Sequence, residues 1–250
     1  MAVDSSQETK ASGLNTLVDT IISPKEAFEA LAVSPTWGWA CLVAIVLLLG
    51  GYALQRPAQL HAAVGTLQHM MATNSLFASM SDEQKQRAIE SASHPSALQT
   101  AFGVFGVIVS LFFAALINSV VLLIANIAGR GRADFGRLWA ASMNIAIPTF
   151  GLNYVVLGVI CLAVGADHFQ NTGDLLRSVP GLATLLPGTR GALAGFLMGI
   201  NVFTLWGFGL NVAMMRIMAR VSGAVAWIFP LLILLGGACI FAGTSRFYGG

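Results

Sequence analysis

Chemistry in a protein needs groups that titrate, coordinate or attack, and this sequence offers few at useful spacing. His61 and His69 lie eight residues apart, a spacing that aligns two ligands on one helix. No cysteine or carboxylate completes a metal site with them, so both read as surface histidines. Cys41, Cys161 and Cys239 each sit inside an apolar run, with no CxxC pair and no histidine at ligand spacing. Cysteines so placed form neither a disulfide framework nor a zinc site, and read as small apolar packing residues. The apolar segments contain serines, but no histidine or aspartate to activate one. The expectation is a protein that is not an enzyme, with no catalytic residue, no metal and no cofactor.

The apolar segments do hold amides and glycines. Asn118, Asn144, Asn153 and Asn201 fall in them. In lipid such amides either hydrogen-bond between helices, at roughly 1 kcal/mol each, or line a polar path. Gly191, Gly195 and Gly199 make consecutive GxxxG steps, and Gly151 and Gly158 continue a seven-residue recurrence that starts at Asn144 and ends at Gly165. Small-residue strips let helices approach closely where packing, rather than hydrophobicity, drives association. They build the chain's own bundle; alternatively, one of them meets a membrane-protein partner or a second copy in a homo-oligomer.

The chain is 56% hydrophobic and 10% charged over 250 residues. A soluble domain carries about 25% charged residues. With a mean hydropathy of +0.76, the chain belongs in a lipid bilayer. A net charge of +2 without a basic cluster excludes a nucleic-acid partner.

A bilayer core of about 30 Å needs about 20 apolar residues of helix. Segments 37–54, 102–127, 138–164, 192–214 and 222–242 meet that need without a charged residue. The sequence therefore predicts an all-α membrane protein, a five-transmembrane-helix bundle over residues 36–244. Pro148 and Pro230 are expected to kink spans three and five rather than end them. Ion-coupled carriers keep ionisable groups at membrane depth. Here His61, His69, His94 and His168 all fall outside the spans, which argues against proton coupling and leaves passive transport open.

The short loops after spans two and four carry Arg130, Arg132, Arg137, Arg216 and Arg220 against one acid, Asp134. By the positive-inside rule they lie in the cytoplasm with the N-terminus, and the C-terminus lies outside. The setting is a cell membrane, of the bacterial inner-membrane type. Trp37, Trp39, Trp139 and Trp227, near span ends, read as interfacial anchors. The first apolar run begins behind an acidic leader, so span one is expected to act as an uncleaved anchor.

Residues 1–12 read as a disordered tail, and 13–35 as two cytoplasmic amphipathic helices. The first offers Leu14, Leu17, Val18 and Ile21 as its apolar face. The second opens at "SPKE", a capping box of Ser23 and Glu26 with Pro24 at the first helical position. Such helices either lie on lipid or dock on the spans. The loop 56–97 is expected to be helical, with Ser81 capping "DEQKQRAIESA".

This layout resembles the Yip family of membrane proteins, in its bacterial branch. The stretches that carry the resemblance are "LVDTIISPKEAFEAL", "SMSDEQKQRAIESAS", "ADFGRLWAASMNIAIPTF" and "INVFTLWGFGLNVAMMRIMARVSG". Within them Pro24, Phe28, Pro148, Phe203 and Trp206 hold the family's loose motif positions. The resemblance implies five spans with a cytoplasmic N-terminus. Members in eukaryotes are associated with Rab-type GTPases. The Asp-Leu-x-Gly-Pro element of that branch is replaced here by "TIISPKE", so Rab binding does not transfer, and neither does any catalytic residue. The family points to a membrane-organising or partner-binding scaffold. The alternative is a passive transport component, or accessory subunit, for a small or amphipathic molecule.

Overall fold

A computed structural model of the chain describes residues 13–77 and 79–245; the tail expected at 1–12 lies outside them. Two short helices, α1 (Gly13–Ile22) and α2 (Pro24–Val33), precede a long α3 (Gly38–Thr73). The α4 helix (Asp82–Ser93) leads to a second long helix, α5 (Ala97–Ala128). Next come α6 (Phe135–Ala146), a π-helical turn (Ile147–Leu152) and α7 (Asn153–Val164), one continuous rod. Short helices α8 (Thr172–Arg177) and α9 (Leu182–Leu185) then lead to α10 (Gly191–Met198), α11 (Val202–Ile217) and α12 (Val225–Thr244). Among the described residues the only β pairing is an isolated bridge between Gly181 and Asn201. Below, the near end of the bundle is the one holding α1 and α2, and the far end the one holding α4.

By length and composition, four helical segments can cross a membrane: Gly38–Thr73, Ala97–Ala128, Phe135–Val164 and Val225–Thr244. The fourth expected span, 192–214, is not one helix. It divides into α10, of 8 residues, and α11, of 16. The break falls at Gly199–Asn201, where the Asn201 side chain turns back to cap α11. Neither piece has the roughly 20 residues a crossing needs.

The first span also differs from expectation. Its helix does not stop at residue 54 but runs through Pro57 for 36 residues, about 54 Å at 1.5 Å per residue. Pro57 is exposed, so the backbone bond it forfeits lies on the outer surface of the helix. Arg56 braces this extension by donating to Tyr52 Oη and Thr100 Oγ1, each at 3.2 Å. In the rest of the loop, α4 has the expected capping box of Ser81 and Gln84, and Ser96 and Gln99 form a second one at the start of α5. Pro148 sits inside the π turn, whose wider winding accommodates a residue with no N–H and a bulky ring.

At the near end, Ser23 occupies the N-cap of α2 but makes no side-chain cap, so the expected capping box does not form. Its backbone N–H already donates to Asp19 O at 2.7 Å, leaving Glu26 nothing to reach back for. Ala27, Phe28 and Leu31 of α2 are fully buried, in a core with Leu122, Leu138, Met214 and Met215. On α1, Leu17 packs with Ala40 and Ala44 of α3, while Leu14, Val18 and Ile22 remain exposed. The short helices therefore dock on the bundle and keep one apolar row outward.

The connection from α7 to α10 folds back as a cap at the far end. Phe169, Leu175 and Val179 are buried with Ala58 and Ala62 of α3 and Phe203 of α11. The Thr172 N–H donates to Thr66 Oγ1 at 3.0 Å, and His61 Nδ1 lies 3.0 Å from the Phe169 carbonyl. Pro180 and Leu182 bridge the break in the fourth segment through Val202 N–H to Pro180 O and Leu182 N–H to Ile200 O.

Candidate functional site

Between the near-end core and the far-end cap lies a cavity of about 990 Å³. That is the upper end of the roughly 300–1,000 Å³ typical of small-molecule sites. One wall is polar. It carries Gln55 and Gln59 from α3, Asn118 from α5, Ser142, Thr149 and Asn153 from the α6–α7 rod, and Asn201, Thr204 and Asn211 from the α11 side. The facing wall is α12 from Phe229 to Phe241, including Pro230, Gly236 and Gly237. Among the described residues, none in the lining is Asp, Glu, Lys, Arg or His.

Most of the polar wall is internally bonded, because an amide in an apolar interior costs free energy until it finds a partner. Asn118 Nδ2 donates to Ser142 Oγ at 2.9 Å and to Asn211 Oδ1 at 3.0 Å, joining α5, α6 and α11. Ser119 Oγ adds a bond to Ser142 Oγ at 3.0 Å. Gln55 Nε2 donates to the Tyr154 carbonyl at 2.7 Å, and Gln59 Nε2 to Gln55 Oε1 at 3.1 Å. Asn201 Oδ1 accepts from the N–H groups of Phe203 and Thr204, and Thr204 Oγ1 donates to Gly199 O at 3.0 Å. Asn153 is the exception: its amide lines the cavity with no hydrogen-bond partner among the described residues.

Of the four asparagines singled out in the sequence, three line this cavity: Asn118, Asn153 and Asn201. Asn144 does not. It is buried near the entry to α3, donating to Ala140 O at 2.8 Å and Thr36 O at 3.2 Å, with its Oδ1 unbonded. Asn211, Gln55, Gln59, Thr149 and Thr204 belong to the wall and were not singled out for a polar path. The signal for Asn201 and Thr204 was in the sequence, since Asn-x-x-Thr after a glycine is a helix start.

The glycine strips pack inside this chain. A methyl on Gly199 would stand 2.5 Å from Ala238 Cα, and one on Gly195 would stand 2.9 Å from Ala242 Cα, so the strip seats α10 against the far half of α12. Gly158 lies against Leu54 and the Gly51 carbonyl, and Gly151 against Leu47, which brings α7 onto α3. Gly191 faces open space, and its φ of +60° starts α10 from the left-handed region. Of the motif positions, Pro24 begins α2, Phe28 is buried in the near core, and Pro148 is in the π turn. Phe203 joins the far-end cluster, and Trp206 packs on the near core.

The cavity is open on one side. Ile117 of α5 and Leu232 and Ile240 of α12 line it, yet they are 45%, 54% and 68% exposed. Toward the near end α5 and α12 share a core, with Leu122 and Ala125 beside Ala226.

A curated protein of Bacillus subtilis (strain 168), described as "Membrane protein YknW", is 25% identical over 232 residues. The match covers 90% of this chain and 87% of that protein. No family model matches, and no solved structure does. The similarity and the four apolar helices together make this a multi-pass, all-helical membrane protein.

Proposed function

We propose that this protein holds a small, uncharged amphipathic molecule in the cavity between α12 and the amide-bearing helices, as a non-enzymatic transport component or accessory subunit. The observation that carries the reading is the two-faced lining, with amides and hydroxyls on one wall and only apolar residues and glycine on the other. A guest with a hydrogen-bonding end and an apolar end satisfies both walls. The test uses Gly237→Leu. Gly237 lines the cavity and a Cβ there meets no atom within 4 Å, so leucine is the substitution that adds bulk at the lining with the least backbone conflict. Native mass spectrometry of protein purified from membranes should detect a bound guest on the parent chain and none on the variant. A guest-free parent, or equal occupancy in both, would contradict the proposal.

The second reading is a Yip-type scaffold of a bacterial inner membrane, with the N-terminus in the cytoplasm and α10 with α11 as a broken fifth crossing. It is supported by the resemblance in layout and by the outward row Leu14, Val18 and Ile22 beside the docked α2. On this reading the row contacts lipid or a partner protein, and the arginine-bearing loops face the cytoplasm.

A further inference from the structure

We infer that the guest is an uncharged lipid with a hydrogen-bonding head, and that it enters sideways from the bilayer between α5 and α12. The inference rests on the cavity being a binding site. Both ends of the cavity are closed by protein. Beyond the near end lies the packed core of Phe28, Leu31, Leu122, Met214 and Met215, all fully buried. At the far end, the cap around Phe169 is held down by the Thr66–Thr172 and His61–Phe169 contacts. A methyl on Gly65 would collide with the Gln170 carbonyl, so cap and α3 are in direct backbone contact there. The open side is the one edged by Ile117, Leu232 and Ile240, apolar residues on two segments long enough to span a membrane. That edge faces hydrocarbon, and whatever enters through it comes from the lipid phase.

The polar wall sets the head group. With no charged residue among the described residues of the lining, an ionic head would lose its hydration without gaining a counter-charge there. Hydroxyl or amide heads carry no such penalty, and the unpartnered Asn153 amide supplies both donor and acceptor to them. The α12 wall, with bare backbone at Gly236 and Gly237, leaves room for the chain.

The experiment uses the full chain in detergent, with Cys41, Cys161 and Cys239 replaced by alanine and a bimane fluorophore on Asn153→Cys. Unlabelled parent protein is tested for binding of probes of one chain length: a neutral monoacylglycerol, the fatty-acid anion and an alkyltrimethylammonium, with glycerol as the chainless control. The neutral lipid should bind at least about tenfold more tightly than either ion, and glycerol should not bind. After reconstitution, a nitroxide on a lipid chain should quench the bimane, and aqueous iodide should not. Equal affinity for charged probes, binding of glycerol, or quenching by iodide would overturn the inference while leaving a binding cavity in place. If no probe binds and neither quencher reaches the label, the cavity reading itself fails. Gly237→Leu, which leaves Asn153 intact, should abolish binding of the neutral lipid; unchanged binding would put the site elsewhere and overturn the inference.

Discussion

Two asparagines on the same wall differ in what they do for the fold. Asn118 ties three helices together through Ser142 and Asn211, whereas the Asn153 side chain makes no hydrogen bond among the described residues. Asn118→Ala should therefore destabilise the bundle by about 1–2 kcal/mol, the upper range for interhelical polar contacts in lipid. Asn153→Ala should change stability by less than about 0.5 kcal/mol. Unfolding in mixed micelles measures both, and equal losses would contradict the assignment. Residue types told much of this in advance, because amides stranded in apolar runs must be bonded or line something. Which of the two each one does depends on neighbours far along the chain. Asn144 looked like Asn153 in sequence, yet α3's entry at Thr36 takes up its amide.

Helix–helix contacts are where close approach is decided. The Gly195–Gly199 strip lies on Ala238 and Ala242, and Gly158 lies on Gly51. Gly199→Ala should cost about 1–3 kcal/mol, because a methyl there overlaps the α12 backbone. Gly236→Ala should be neutral or slightly stabilising, since its Cβ meets open space and alanine is the better helix former. Thermal melting of both variants tests the contrast, and a neutral Gly199→Ala would overturn the packing. The GxxxG spacing announced a close contact but not its partner, since any facing helix satisfies the pattern. The division of the fourth segment is hidden in the sequence because Ile200 and Val202 keep the hydropathy high across the break. The extension of α3 past Pro57 was hidden by Arg56, which reads as a span end but lies along a continuing helix.

For the molecule as a whole, the cavity lies between cap and core, and α12, seated on α10 through Gly195 and Gly199, forms its apolar wall. Neither the cap's docking on α3 nor the space it encloses is written in local periodicity; both arise from contacts such as Thr66 with Thr172, 106 residues apart. The uncharged lining also makes a prediction at this scale. Binding of a neutral guest should be constant from about pH 5 to pH 8, because no histidine or carboxylate lines the cavity among the described residues. Affinity measured across that range tests it, and a titration step would show that a charged group shapes the site. The most direct test of the central claim compares Asn153→Cys with Asn144→Cys, each in the chain whose native cysteines are replaced by alanine. A small uncharged thiol reagent should label position 153 readily and leave 144 protected. Protection of both, or equal labelling of both, would contradict the cavity on which this account stands.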